Sequence, residues 1–290
     1  DIYLKKEEFD KAEDNFMRAS DLYEEMKEQK SVQEVQDKLM FIFSQPKYLE
    51  NRKQAIREGL KKPETQKDLK LKLMLLNDLG NVLFMSNNWD EAAEVARETI
   101  ALHEQSGDKQ ALGGAYGNLG SILLQQEDFK GAEENYSNAI KIKEESKEQG
   151  DLKELYANYL NVLILAGKMD KAEKLVNKSL KVNKAASNAK GLVADYRNLG
   201  NICLQKKDWS GAEKNYLEAL AVNTSADNKR EMAEDNRNQY NLYLQKEDWG
   251  NAEKYALKSF EIAEQINDVL NVLADSRVLA KIYVEKKERA

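Results

Sequence analysis

One sequence pattern returns along this chain every forty residues, and any fold it adopts has to be built from that repeat. The stretch NLGSILLQQEDFKGAEENYSNAI, from Asn118 to Ile140, sets the register. Forty residues apart stand Trp89, Phe129, Met169, Trp209 and Trp249, with Phe9 in the same register further upstream. Three places later a small residue recurs at Ala12, Ala92, Ala132, Ala172, Ala212 and Ala252, beside an acid at Glu13, Glu133, Glu173, Glu213 and Glu253. A fixed period of this length implies stacked units, each burying its apolar face against its neighbours. One array, rather than the two domains that 290 residues would suggest, is therefore expected.

Within a repeat the pattern reads as two helices. In the copy opening at Leu71, the run to Ser86 is the first helix, NNWD the turn, and EAAEVARETIALHEQ the second. Leu79, Val82, Leu83, Ala92, Val95, Ala96 and Ile100 fall on one stripe of each helix at helical spacing. The turns SNN, QED, AGK, KKD and KED carry residues that favour caps and tight turns. The aromatic just after each turn is placed to pack back across both helices. Polar segments such as SGDK, KEQGD and SADNK separate the repeats. The boundaries expected are a partial first repeat over 1–30, a degenerate one over 31–70, five regular repeats over 71–270 and a terminal helix over 271–290. In the degenerate copy Leu39, Leu49, Ile56 and Leu60 keep register, Arg52 replaces the small residue, Pro46 lies in the turn, and Pro63 helps to stop the second helix.

Composition supports a helical reading and removes several function classes. Hydrophobic residues make up 41% and charged residues 33%, with 14 Gly and 2 Pro. The net charge of −6 comes from interspersed acids and bases, so no basic patch for nucleic acid is expected. No apolar run approaches the roughly 18 residues of a membrane span. A single Cys, Cys203, excludes an internal disulfide and any Cys-based metal site. It reads as a small core residue between Ile202 and Leu204. The one His, His103, sits where other copies have Lys143, Asn183 and Asn223, and reads as a surface residue. No phosphate loop, nucleophile motif or metal-ligand spacing occurs, so no enzyme activity, cofactor or metal is expected. The chain opens on Asp1 without Met, mid-helix in the forty-residue register, and reads as a fragment or processed form. Cytoplasmic location is the expectation.

A Gly eight places into the first helix, an aromatic near the turn, Ala three residues on and Tyr216-x-x-Ala219-Leu220 resemble the tetratricopeptide repeat. The usual unit has 34 residues. The longer version here is similar to those of Leu-Gly-Asn repeat proteins, kinesin light chain and bacterial peptide-pheromone receptors. That resemblance implies an all-α, right-handed α-solenoid of helix-turn-helix repeats. It also implies that the first helices line a concave surface. Leu160 and Tyr240 depart from the pattern by replacing its Gly.

Polar residues form a ladder on those first helices. Asn118, Asn158, Asn198 and Asn238 stand forty apart; three residues on, along the same face, come Asn161, Asn201 and Asn241, with Ser121 in that row and Asn81 starting it. Arg197, Arg237 and Arg277 precede the first row, and Gln125, Gln205 and Gln245 lie four residues beyond the second. Asn costs roughly half a kcal/mol against Ala in a helix interior, so eight would cost about 4 kcal/mol uncompensated. Its donor and acceptor can pair with the backbone of a peptide of any sequence, and Arg can hold a carboxylate.

The expectation is a non-enzymatic scaffold that binds a peptide or protein segment in the groove. Asn rows would clamp the backbone and the Arg column would select acidic groups. Three alternatives stay open. The ladder can be structural, with Asn bridging repeats and Arg paired to Asp195, Asp235 and Asp275. The array can be a peptide sensor that regulates an output domain. It can also self-assemble through its ends, with Phe41-Ile42-Phe43 as a candidate contact, although a core role for that cluster is the better reading.

Overall fold

The computed structural model describes Tyr3, residues 8–146 and residues 152–288. The opening residue Asp1 and the expected inter-repeat loop at 147–151 lie outside the described residues. Every described element is a helix, and no strand is present among them. The chain is all-α, an α-solenoid of helix-turn-helix units. It falls into two compact units, Asp1–Val162 and Leu163–Ala290.

In the first unit, α1 (Phe9–Glu25) is followed by the pair α2 (Gln29–Phe43) and α3 (Pro46–Lys61), then by α4 (Pro63–Lys67). Next come α5 (Leu69–Met85) with α6 (Trp89–Ser106), α7 (Lys109–Gln125) with α8 (Phe129–Glu145), and most of α9 (Leu152–Leu165), whose last three residues fall in the second unit. The expected stripe is the core: Leu79, Val82, Leu83, Ala92, Val95, Ala96 and Ile100 are all buried. Small residues at Ala92 and Ala132 let the helices of a pair approach closely, and neither has any exposed surface. Trp89 meets Phe84 edge-on with ring centroids 4.9 Å apart, the aromatic contact expected after the turn.

The degenerate repeat keeps its core at Leu39, Leu49 and Ile56. Arg52, which replaces the small residue, lies 3.5 Å from Asp78 and 3.8 Å from Glu13 and so ties the repeat to both neighbours. Pro46 occupies the first turn of α3, where its missing N–H costs nothing. Pro63 follows the end of α3 and also opens the five-residue helix α4, which the sequence reading did not contain. Thr65 anchors that helix by donating to the Gly59 carbonyl at 2.8 Å. Of the Phe41-Ile42-Phe43 cluster, Ile42 is fully buried and Phe41 is exposed.

The second unit holds α10 (Met169–Ala185), the pairs α11 (Ala189–Gln205) with α12 (Trp209–Ser225) and α13 (Lys229–Gln245) with α14 (Trp249–Gln265), and α15 (Val269–Glu288). Cys203 is buried with Ala212, Tyr216 and Leu242. Tyr240 and Tyr243 pack with Ala252, Tyr255, Leu279 and Ile282.

Five of the turns that lead into a second helix share one construction. Between α11 and α12, Lys207 takes a left-handed conformation with φ 59°, and the Asp208 N–H returns to the Cys203 carbonyl at 2.8 Å. Asn87, Glu127, Gly167 and Glu247 repeat the φ, and the same return bond closes each turn. At three of these turns the residue that ends the turn also caps the next helix: Asp208 accepts from the Gly211 N–H, Asp128 from the Gly131 N–H and Asp248 from the Asn251 N–H. Turn chemistry thus fixes where each second helix starts, and with it which residues the first helices present.

Candidate binding face of the first helices

The polar ladder lies on the outer surface of the first helices, opposite their buried stripe. In the first unit Asn81 on α5, Asn118 on α7, and Asn158 and Asn161 on α9 are exposed. In the second, Asn201 on α11 and Asn241 on α13 are exposed, while Asn198 and Asn238 are half-buried. Gln205 and Gln245, the last residues of α11 and α13, are exposed. Asn201 has an internal duty as well, accepting the Tyr216 hydroxyl at 2.6 Å.

Two members of the arginine column are engaged by carboxylates of the array itself. Arg197 spans to the next first helix, with Nε 2.6 Å from Asp235 Oδ1 and Nη1 2.6 Å from Glu231 Oε2. Its Nη2 donates to the Glu231 carbonyl at 3.0 Å. Arg237 repeats the arrangement, donating to both carboxylate oxygens of Asp275 at 3.2 and 3.3 Å and to Glu234 at 3.3 Å. Both guanidinium groups are therefore already neutralised, and of the three only Arg277 is exposed. Arg197 and Arg237 thereby tie neighbouring first helices together.

The acids they meet belong to a buried polar column that the sequence reading placed only in part. Asp235 and Asp275 have no exposed surface and Asp195 almost none. Asn183 donates to Asp195 at 2.7 Å, Asn223 to Asp235 at 2.6 Å, and Ser259 to Asp275 at 2.7 Å. Burial pushes the Asp195 carboxyl up, against the pull of its bonds to Asn183 and Ser179. Burial also raises Asp235, opposed by Arg197 and Asn223. For Arg197, burial disfavours the charge, but Asp235 and Glu231 together outweigh it and hold the guanidinium protonated. Tyr240, whose hydroxyl lies 3.3 Å from Asp275, is pushed up to about 12, chiefly by burial.

His103 belongs to this column, not to the surface. It is 6% exposed, and its Nδ1 is buried without a hydrogen-bond partner. Lys143 and Asn223 in the same register are buried too. The column lies one turn beyond the core of each second helix, where the following repeat covers it. Asp195 and Asp235 were the available signal, since such acids forty apart need neighbours that donate.

In the first unit the ladder borders a cavity of about 240 Å³ between α5, α6 and α7. Gly80 and Ala96 form its floor, Leu76, Phe84, Val95 and Ile122 its apolar walls, and Asn77, Asn81 and Asn118 part of its lining. Neither this cavity nor any group of chelating side chains suited to a metal was read from the sequence. Among the described residues no cluster of three or more His, Cys, Asp or Glu is placed to hold a metal ion. No described helix is long and apolar enough to cross a membrane.

Paired helices of this length, joined by left-handed turns and packed through small residues, resemble the units of tetratricopeptide-repeat proteins. The tetratricopeptide repeat family model matches residues 71–145, which span the pairs α5–α6 and α7–α8. No curated protein sequence matches the chain. Among solved structures, BtubC (BKLC) from P. vanneervenii is similar at 19% identity, over 76% of this chain and 92% of that one, with a TM-score of 0.58. The apo form of RapI is similar at 14% identity, over 89% and 77%, with a TM-score of 0.63. A putative kinesin light chain repeat protein from Podosopora anserina is similar at 12% identity, over 74% and 97%, with a TM-score of 0.51. Likeness at these identities concerns the fold.

Proposed function

We propose that the chain is a non-enzymatic protein-interaction module that holds a peptide or protein segment against the exposed face of its first helices. The observation that carries this is the contrast between two sets of asparagines. Asn223 and Asn236 are buried and Asn183 half-buried, and they bond to Asp235, the Met232 carbonyl and Asp195 respectively. Asn81, Asn118, Asn158, Asn161 and Asn241 face outward at the repeat interval, where Lys, Glu or Ala would form a better helix. A solvated face has no use for this pattern. A ligand backbone does, because each amide offers it both a donor and an acceptor. Arg197, Arg237 and the buried Asp column supply interactions for the array's own cohesion, which leaves the Asn rows, apart from Asn201 with its bond to Tyr216, available to a partner.

Site-specific photo-crosslinking tests the reading. A benzophenone side chain at Asn241 should capture the partner, whereas the same group at Lys214, exposed on the second helix α12, should not. Capture at Lys214 and none at Asn241 would place the working surface elsewhere.

A further inference from the structure

We infer that the cavity between α5, α6 and α7 is a receptor for a tyrosine side chain of a bound protein partner. Its shape follows from two positions sixteen residues apart in each repeat. Gly120 is covered by Tyr136, whose ring carbons lie 3.1 Å from the place of a glycine Cβ, and Gly200 is covered still more closely by Tyr216. In the last pair the sizes are reversed, as Tyr240 and Ala256. The pair α5–α6 has a small residue at both positions, Gly80 and Ala96. A Cβ on Gly80 would find nothing nearer than Val95 Cγ1 at 3.8 Å. The space that a tyrosine ring fills in the next repeat is open here.

The polar partner for such a ring is already in place. The Tyr136 hydroxyl meets Ser121 at 2.8 Å, and the Tyr216 hydroxyl donates to Asn201 at 2.6 Å. Asn81 stands in that register and lines the cavity. Leu76, Phe84, Val95 and Ile122 supply apolar walls. The volume of about 240 Å³ exceeds the roughly 150 Å³ known to admit benzene. Asn77, Asn81 and Asn118 carry the ladder to its edge, so a backbone held by the rows could place a side chain inside. The chain's own repeats thus specify the occupant: a phenol ring entering from outside, its hydroxyl on Asn81.

This deepens the proposed function by naming a side chain the partner inserts, but its test does not require the partner. Saturation-transfer NMR would use p-cresol, the free tyrosine side chain, with toluene as the matched ring lacking the hydroxyl. N-acetyltyrosinamide would add the backbone. Saturable binding of p-cresol is expected, several-fold weaker for toluene and retained by N-acetyltyrosinamide. Ala96→Tyr should abolish it by filling the cavity as Tyr136 and Tyr216 do in their repeats. Asn81→Ala, at an exposed position, should erase the preference over toluene without disturbing the fold. Absence of saturable p-cresol binding, equal binding of toluene, or binding undiminished in Ala96→Tyr would each overturn the proposal. Loss of binding on going from p-cresol to N-acetyltyrosinamide would overturn the protein source of the ring. Failure of crosslinking at Asn241 with p-cresol binding intact would instead count against the Asn rows alone.

Discussion

Asp235 shows at the level of single residues how neighbouring repeats of this chain are held together. Its carboxylate is buried, with one oxygen taken by Arg197 and the other by Asn223. Removing one partner of a buried ion pair leaves the other charge uncompensated, at a cost of about 3–5 kcal/mol. Arg197→Ala should therefore lower stability by roughly 3 kcal/mol in urea unfolding; a loss of partner binding at unchanged stability would return Arg197 to the recognition surface. Asp195 gives a second prediction. Burial raises its carboxyl pKa above the unfolded value of about 3.9, so the folded state holds the proton more tightly. Its contribution to stability is therefore full below about pH 3.9 and is lost as pH rises through the folded pKa. Asp195→Asn keeps an acceptor for Asn183 and cannot ionise. The variant should gain on the wild type as pH is raised from about 4 to 7, read by amide exchange of α11; a gap independent of pH would contradict the assignment. The forty-residue spacing of these acids was legible in the sequence. Their burial was not, because it depends on the following repeat covering a column that holds His103, Lys143, Asn183 and Asn223. Polar composition alone marked that column as outward-facing.

At the scale of the helix pair, the small-residue contacts decide stability. A Cβ on Gly200 would lie 2.3 Å from Tyr216 Cε1, in a ring held by its bond to Asn201. Gly200→Ala should cost roughly 1–3 kcal/mol through overpacking. Gly80→Ala, with open space around it, should instead gain up to about 1 kcal/mol of helix propensity. Paired urea titrations check the contrast; equal effects at the two glycines would show that the turns rather than these contacts set the spacing. Helix boundaries and the buried stripe were legible from periodicity and turn residues. The left-handed positions were less so, since Lys207, Glu127 and Glu247 occupy them as well as Gly167. Here the closing bond to the preceding helix compensates for a side chain that disfavours the conformation. The cavity could not be read at all, because Gly80 and Ala96 are each ordinary helix residues and become a hole only when packed together.

For the whole chain, a buried network joins repeats, while much of the amide ladder stays exposed, with Asn201 bound to the fold's own Tyr216. Repetition made the α-solenoid class legible, since a forty-residue unit of two amphipathic helices can bury its apolar faces only by stacking. The ladder was legible as a row, but its separation from the arginine column was not: Arg197 and Asn198 are adjacent in sequence, yet one is committed to Asp235 and Glu231. Partner retention on Asn198→Ala/Asn238→Ala, with urea unfolding run on the same preparation, separates a binding role of the Asn rows from an architectural one. Ala forms helix better than Asn by roughly half a kcal/mol per site, so the double variant should be as stable as the wild type or about 1 kcal/mol more so. Its retention of the partner should fall at least tenfold. Retention equal to the wild type, or a loss that accompanies lower stability, would assign the Asn rows to architecture and contradict a binding role for this face.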